Sequence, residues 1–314
     1  MDEHKETFSK IGFNYLLLAL IPIIFQIIIA NIVSLVDVNL LNDINIQTII
    51  GSITSYILIF PIFIYLMRKI ETVNIDKNRL NVIGFLKCIC IAITLMIAGN
   101  LIGTVITTLI GNTMSNEVIN PVEQLIENSS IYINLLIICT VAPIFEEIFF
   151  RKILIERTIK YGAKLSIILS ALIFALFHGN LSQFFYAFLL GGFLAYLYIN
   201  TGEIIYPIII HACVNFYGSV VSIFFSSAAE NIAQGIMNIC DIGIIALYFI
   251  ILVSALFVGL YEIFTKYNKI ELNDSKRETY LEKPAQTVLV NAGMILLIIY
   301  FILKILTSLN IIVI

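Results

Sequence analysis

The sequence has few charged residues for its length. Of its 314 residues, 12% are charged and 60% are hydrophobic, and the mean hydropathy is +1.01. A soluble domain is about a quarter charged and about half apolar. The shortage of charge excludes a soluble globular protein, because this much apolar surface needs a solvent other than water. The composition therefore predicts an all-α fold, a polytopic membrane helical bundle of about eight or nine transmembrane helices.

Cysteine is also scarce, and the spacing of the cysteines is unsuited to disulfides or to a zinc site. No two cysteines form a C-x-x-C pair, and all lie in or at the ends of apolar runs, so we expect them to pack as small apolar side chains. The five are Cys88, Cys90, Cys139, Cys213 and Cys240. The sequence also lacks a repeat of fixed period, a low-complexity tract and a separate soluble domain. No small-x-small cleavage pattern follows the first apolar run, which we therefore expect to be a retained span.

Nine apolar runs are predicted as helices. They cover about 15–36, 46–67, 83–110, 131–150, 165–178, 181–199, 204–225, 239–264 and 288–312. Only Gly179 and Asn180 separate the fifth run from the sixth, which predicts a tight helical hairpin. We divide the chain into N-terminal membrane helices at 1–120, a catalytic helical core at 121–230 and C-terminal membrane helices at 231–314.

The basic residues predict an orientation. If the N-terminus is cytoplasmic, 17 of the 18 lysines and arginines fall in predicted cytoplasmic segments, the most basic being the connector 151–164. The outer connector 111–130 is acidic. Because Lys and Arg are retained on the cytoplasmic side, we predict a multi-pass protein of the plasma membrane, with its N-terminus inside and its C-terminus outside. The exception is Lys304, within the last run, which we expect to snorkel outward.

Two adjacent glutamates lie at the end of the fourth run. A charge near the bilayer centre costs about 2.5–3.5 kcal/mol on insertion scales, so it is rarely there without a use. Glu147 and Arg151 are four residues apart and share a helix face, whereas Glu146 points about 100° away. We expect Glu147 to pair with Arg151 and Glu146 to face the bundle interior, although the two carboxylates are close enough to share these roles. Pro143, one turn earlier, is expected to bend the helix.

Histidine is rare, and its positions are informative. Of the three histidines, His4 lies in the polar tail and the other two lie in apolar runs after the glutamates. Phe174 and His178 are four residues apart, as are His211 and Asn215. Each pair alone is more often structural. An intramembrane histidine normally faces other helices or a wet cavity, so their coincidence in one stretch favours a functional site.

Depth along the helices gives conflicting positions for this site. At 1.5 Å per residue, Glu146 lies roughly 8 Å from a membrane boundary predicted at Arg151, and His211 lies roughly 12 Å from the start of its run. His178 lies roughly 21 Å from Lys164. The first two distances predict a site in the cytoplasmic half of the membrane. The third conflicts with them unless its helix starts lower or is strongly tilted.

Three motifs follow one another along the chain: E-E-x-x-x-R at 146–151, F-x-x-x-H at 174–178 and H-x-x-x-N at 211–215. On successive membrane helices, this set resembles the CPBP group of intramembrane proteases. That group includes type II CAAX prenyl endopeptidases, bacteriocin-processing and self-immunity proteins, and Abi proteins. The resemblance covers roughly residues 120–225 and implies about eight spans, one fewer than the nine runs. It implies hydrolysis of a peptide bond in a membrane-associated substrate, either CAAX-type or a peptide precursor.

The resemblance also implies roles for the motif residues. The expected catalytic residues are polar side chains of the three motifs: Glu146, Glu147, His178, His211 and Asn215. A buried glutamate is a suitable general base and then general acid, and we assign that role to Glu146, with His178 helping to hold or deprotonate the water. His211 and Asn215 are expected to polarise the substrate carbonyl. Arg151 and Phe174 are expected to contact the catalytic residues and hold them in place.

Zinc is left open as a cofactor. Glu146, His178 and His211 form a set that can hold a catalytic zinc ion with water in the fourth position. The set is not the H-E-x-x-H signature of a single helix, and a metal-free glutamate mechanism uses the same residues. The expected partners are a peptide or membrane-protein substrate and the lipid bilayer, with no nucleic acid.

Two other functions are compatible with polar residues in this position. A bacteriocin self-immunity or membrane binding protein would keep the motifs without proteolysis. A proton-coupled transporter would also place Glu and His within the membrane. A transporter should show inverted repeats and broken helices at matching positions in two halves, and we find neither in the sequence.

Overall fold

The computed structural model describes residues 3–114, 121–236, 238–266, 272 and 274–312. Glu117 of the predicted acidic connector and Lys269 of a predicted basic connector lie outside these residues. The part of the chain that is described consists of helices and their connections, with no strand. The prediction of an all-α membrane bundle is confirmed.

The predicted apolar runs are largely helical, but the last one is divided at residues 290 and 291 and ends at Ser308. In chain order the helices are α1 (Glu3–Val36), α2 (Ile44–Met67), α3 (Val82–Met114), α4 (Pro121–Asn128), α5 (Ile131–Tyr161), α6 (Ala163–Phe177), α7 (Leu181–Thr201), α8 (Ile205–Ala233), α9 (Ile239–Lys266), α10 (Pro284–Leu289) and α11 (Ala292–Ser308). Seven of them are long and apolar enough to cross a membrane, whereas α6 and α11 are apolar but shorter. The chain is a multi-pass membrane protein.

Helix α5 is longer than predicted. The sequence was divided at residue 150, with a basic connector after it, but the helix continues to Tyr161. Arg151 is 0% exposed inside the bundle, and the helix end predicted beside this residue was wrong. The revised bounds bring Glu146 and His178 to the same distance from their helix ends, whereas His211 lies six residues, roughly 9 Å, from the start of α8. Glu146 lies fifteen residues from Tyr161 and His178 lies fifteen residues from Ala163, which is roughly 22 Å in each case.

Two π-helical segments of α5 flank the glutamates, at Asn134–Val141 and Ile148–Ile153. A π-helical turn leaves backbone carbonyls without their usual partners, and buried carbonyls need a donor. Tyr15 of α1 donates to the carbonyl oxygen of Phe149 at 2.6 Å, and Ser170 of α6 donates to that of Phe150 at 2.7 Å. Neighbouring helices thus stabilise the irregular backbone that carries the glutamates. The first π-helical segment ends just before Pro143, where the sequence predicted a bend.

Two apolar cores hold the bundle together. The first is formed mainly by α1, α2, α5, α6 and α11, and the second by α3, α7, α8 and α9. Phe174 belongs to the first core, whereas Ile210 and Val214, on either side of His211, belong to the second. The motif residues therefore lie where the two cores meet. Because α3 packs on α7 and α9, and α11 packs on α1, the regions 1–120, 121–230 and 231–314 remain a division of the sequence and are interleaved in space.

Candidate active site

Glu147 is the centre of a buried charge cluster. Its Oε2 lies 2.9 Å from Arg151 Nε, and its Oε1 accepts a hydrogen bond from His211 Nδ1 at 2.8 Å. Glu147 and Arg151 are 0% exposed and His211 is 3% exposed. A carboxylate only accepts, so Nδ1 of His211 carries the hydrogen, and in the neutral ring Nε2 keeps a lone pair. Glu147 therefore sets both the tautomer and the orientation of His211.

The guanidinium group of Arg151 packs on an aromatic ring beside a glycine. Its Cζ lies 4.4 Å from the centroid of the Phe174 ring, a cation–π contact. A Cβ at Gly191 of α7 would lie 3.6 Å from Nη2 and 2.8 Å from the Phe174 ring. The Nε hydrogen is not aligned on Glu147, and none of the three nitrogens has a hydrogen-bond partner among the described residues. The positive charge of Arg151 is therefore compensated by the nearby carboxylate of Glu147 and by the ring of Phe174.

Glu146 faces away from this ion pair, as the sequence predicted. Its side chain is 20% exposed, its Oε1 accepts a hydrogen bond from the Tyr56 hydroxyl at 2.7 Å, and its Oε2 lies 3.9 Å from His211 Nε2. Tyr56 lies in a π-helical segment of α2, Ile53–Leu58. The sequence analysis missed Tyr56, because a tyrosine in an apolar run carries no motif. One carboxylate thus pairs with an arginine, and its neighbour is available to a cavity.

His178 follows the last residue of α6. Its Nδ1 lies 3.0 Å from the carbonyl oxygen of Phe174. A carbonyl only accepts, so Nδ1 carries the hydrogen and Nε2 keeps a lone pair in the neutral ring. The ring stands edge-on to Phe174 at 4.8 Å and to Tyr186 at 5.7 Å, and Phe174 also contacts His211 at 5.7 Å. Phe174 therefore contacts both histidines as well as Arg151.

Asn215 joins α8 to α5. Its Nδ2 donates to the carbonyl oxygen of Ile138, in the first π-helical segment of α5, at 2.8 Å. A side-chain amide has two donor hydrogens, so one remains for another acceptor. Asn215 also lines the larger cavity described next. The geometry thus leaves Asn215 able to donate to a bound group while it holds α8 in place.

Two cavities meet at Glu146 and His178. The larger has a volume of about 970 Å³ and is lined by α2, α3, α4, α5, α7 and α8, including His211 and Asn215. The smaller has a volume of about 290 Å³ and is lined mainly by apolar side chains of α1, α5, α6 and α11. Ser55, Tyr56, Glu146 and His178 border both. The candidate catalytic carboxylate therefore faces a polar cavity on one side and an apolar cavity on the other.

The donor chemistry of the site suits zinc, but its geometry does not. Two ligands at about 2.1 Å from a tetrahedral zinc ion lie about 3.4 Å apart, whereas Glu146 Oε2 and His211 Nε2 are 3.9 Å apart. Within the described residues, no three His, Cys, Asp or Glu side chains come together as a metal site. The residues as arranged do not fit a three-ligand zinc centre.

Residues 128–217 match a family model described as Type II CAAX prenyl endopeptidase Rce1-like. The match covers less than a third of the chain and includes all seven motif residues. It confirms the resemblance to the CPBP group and supports a CAAX-type endopeptidase in general terms. Comparison with curated proteins and with solved structures gave no match.

Proposed function

We propose that this chain, which carries the Rce1-like segment at residues 128–217, is an intramembrane endopeptidase in which Glu146 activates a water molecule. The observation that carries the proposal is the position of Glu146 at the junction of two cavities, with Oε2 facing His211 Nε2 across 3.9 Å. A peptide that crosses this junction would have one part in each cavity and a peptide bond beside the carboxylate.

The nucleophile is a water molecule between Glu146 Oε2 and His211 Nε2. Both atoms are acceptors, and one oxygen can span 3.9 Å through two hydrogen bonds of about 2.8 Å. Both hydrogens of the water are then occupied, and a lone pair is free to attack the carbonyl carbon. Tyr56 occupies Oε1 of Glu146, so Oε2 takes the proton as the C–O bond forms. Glu146 returns that proton to the amide nitrogen as the C–N bond breaks.

Neutral donors of the larger cavity stabilise the oxyanion. In the neutral state His211 Nε2 has no hydrogen, so His211 cannot donate a hydrogen bond to the substrate carbonyl as expected. Other groups must stabilise the oxyanion. Tyr186 accepts a hydrogen bond from Gln183 Nε2 at 3.0 Å and keeps its own hydroxyl hydrogen. We assign oxyanion stabilisation to Tyr186 and to the second amide hydrogen of Asn215. Both residues line the larger cavity.

The proposal is tested by proteolysis in proteoliposomes, with a farnesylated CAAX peptide and a panel of small peptide precursors as substrates. Glu146→Gln should lower the cleavage rate at least about 100-fold, because a general base is lost. Glu127→Gln is the matched control, since Glu127 of α4 lines the same larger cavity but belongs to none of the three motifs, and it should cleave at the wild-type rate. His178→Ala should also lose most activity, because the His178 ring borders both cavities at the junction that the peptide would cross.

Two outcomes would contradict the proposal. The first is a folded Glu146→Gln variant that cleaves as fast as the wild type. The second is a wild type that cleaves no substrate of the panel yet binds a bacteriocin-like peptide tightly, which would support the immunity function. Thermal unfolding of each variant shows whether it is folded.

We also propose that the protein lies in the plasma membrane with its N-terminus in the cytoplasm and its C-terminus outside. The charge pattern of the sequence supports this orientation. Reporters fused to the C-terminus test it. If a C-terminal reporter of the kind that works only in the cytoplasm is active, the proposed orientation is contradicted.

A further inference from the structure

The larger cavity extends from Glu146 toward one face of the bundle. Glu146 lies midway along α5, fifteen residues from Ile131 and fifteen from Tyr161. On α2, α3, α4, α5 and α8, the lining residues lie within 44–56, 96–104, 122–127, 137–146 and 211–226, respectively. Gln47 and Ser226, at the ends of these ranges nearer to α4, are exposed. The cavity is therefore open on the face that carries α4.

The basic connectors lie together on the opposite face. α4 lies between the end of α3 and the start of α5, whereas the other ends of these two helices meet the basic connectors. Three ion pairs join the connectors to one another: Lys160–Glu71 at 2.7 Å, Lys276–Asp76 at 3.0 Å and Lys77–Glu203 at 3.2 Å. No described residue of these connectors lines the larger cavity. The cavity and the basic connectors thus belong to opposite faces of the bundle.

The half of α5 between Glu146 and the basic connectors is closely packed. Apart from Lys152, every residue from 149 to 155 is buried. Arg157 donates from Nε to the carbonyl oxygen of Met67 at 3.0 Å, which joins this half of α5 to the end of α2. Side chains therefore fill the space between Glu146 and the basic face, and water reaches the carboxylate from the side of α4.

The smaller cavity is not a path to the basic connectors either. The sequence analysis expected Lys304 to snorkel outward, but its side chain lines this cavity beside Gly179, in the turn between α6 and α7. That turn lies at the end of α6 that is away from the basic connector before it. No described connector residue lines the smaller cavity, so both cavities are closed to the basic face.

The wall of the larger cavity carries hydroxyl groups of α2 and α8. They belong to Thr48, Ser52, Ser55, Ser219, Ser222 and Ser226. Ser52 donates to the carbonyl oxygen of Thr48 at 2.7 Å, and Ser222 donates to that of Gly218 at 2.8 Å. A hydroxyl has one hydrogen and two lone pairs, so these groups offer acceptors to the cavity, and no lysine or arginine is among its described lining residues. Acceptors of this kind suit water and the N–H groups of an extended peptide.

We propose that the substrate enters the larger cavity as an extended polar peptide segment from the face that carries α4. This inference rests on the proposed function of Glu146 and on the proposed orientation, which places that face outside the cell. The attacking water molecule reaches Glu146 through the same cavity. The substrate is therefore an exported peptide or a membrane-protein segment exposed outside the cell, and a peptide confined to the cytoplasmic surface is not cleaved.

The first test uses sealed membrane vesicles of both orientations. A peptide that the solubilised protein cleaves is coupled to a large hydrophilic polymer, so that it cannot cross the bilayer. Right-side-out vesicles should cleave this peptide. Inside-out vesicles should show no cleavage until detergent opens them, because their cavity faces the lumen. Equal cleavage by the two kinds of sealed vesicle, or cleavage by sealed inside-out vesicles alone, would overturn the inference.

The second test is thiol labelling, which needs no activity. Ser226→Cys places a thiol in the cavity wall, and Thr72→Cys places an exposed thiol on the connector between α2 and α3 as the matched control. Both variants also carry Cys240→Ser, because Cys240 is exposed. A membrane-impermeant maleimide added to intact cells should label the Ser226→Cys variant and leave the Thr72→Cys variant unlabelled. Inside-out vesicles should give the reverse pattern.

The outcomes separate this inference from the proposed function. If the Ser226→Cys thiol is labelled from the same side as the Thr72→Cys thiol, or from neither side, entry from the α4 face is overturned and the role of Glu146 is untouched. If only the Thr72→Cys variant is labelled in intact cells, the proposed orientation is wrong and entry from outside is overturned with it. If the labelling is as expected but the solubilised protein cleaves no peptide of the panel, the proposed function fails and the assignment of a substrate fails with it.

Discussion

Replacement of Glu147 by glutamine should destabilise the protein far more than the same replacement at Glu146. Glu147 is 0% exposed and balances Arg151, which is also 0% exposed, whereas the side chain of Glu146 is 20% exposed and borders two cavities. Loss of one partner from a buried ion pair leaves an uncompensated charge and costs about 3–5 kcal/mol. Glutamine has the size of glutamate, so the effect is electrostatic. For Glu146→Gln we expect a change within about 1 kcal/mol.

A double variant separates stability from activity. Replacing Glu147 and Arg151 together by methionine removes the charge with its counter-charge, and such exchanges are often neutral or stabilising. The unfolding free energy should therefore recover relative to Glu147→Gln. The double variant should not cleave, because His211 Nδ1 no longer has the acceptor that sets its tautomer.

The assay is a titration of the purified protein in mixed micelles with a denaturing detergent, followed by circular dichroism, alongside cleavage of the peptide panel. Equal unfolding free energies for Glu146→Gln and Glu147→Gln would refute the reasoning about the buried pair. A double variant no more stable than Glu147→Gln would show that Arg151 is held by contacts other than its charge.

Three further predictions concern the surroundings of the site. Tyr56→Phe should lower kcat about tenfold with little change in stability, because one hydrogen bond to Glu146 is lost. Tyr300→Phe, in the smaller cavity, is the control and should keep the wild-type kcat. Equal kcat values for the two variants would contradict the role of Tyr56. Cleavage should continue in excess zinc chelator, since Glu146, His178 and His211 are not arranged as three zinc ligands. Activity that is lost on chelation and restored by added zinc would show that these residues bind a metal ion. Gly191→Ala should destabilise the protein by about 1–3 kcal/mol, because the new Cβ would lie 2.8 Å from a ring carbon of Phe174; unchanged unfolding would mean that the ring moves freely.

Local features of the site could be predicted from the sequence. Helical geometry alone relates Glu147 to Arg151, since residues four apart lie on one face, and the ion pair is present. The apolar runs predicted nine helices because each run is long and uninterrupted. The spacing of polar residues within later runs was likewise sufficient to select His178 and His211, which Phe174 links through ring contacts.

Features that depend on distant contacts were missed. The predicted end of α5 is too early because an arginine after an apolar run resembles a membrane boundary, whereas Arg151 is buried against Phe174 and α7. Tyr56 reaches Glu146 across 90 positions of sequence, and no local pattern marks it. The π-helical segments depend on donors from other helices, such as Tyr15 of α1. The position of Lys304 depends on the space left by Gly179 in the turn between α6 and α7.

The ion pair within α5 has a consequence for biogenesis. Each ionised side chain near the middle of a segment makes its transfer from the translocon less favourable by about 2.5–3.5 kcal/mol. Glu147 and Arg151 lie one turn apart, so they can neutralise each other before any later helix has been synthesised. Tyr56, the partner of Glu146, lies in the earlier helix α2 and is already present. His211 comes from α8 and is made last, so the proposed site is complete only after α8 has entered the membrane, and a partly synthesised chain cannot carry out the proposed proteolysis.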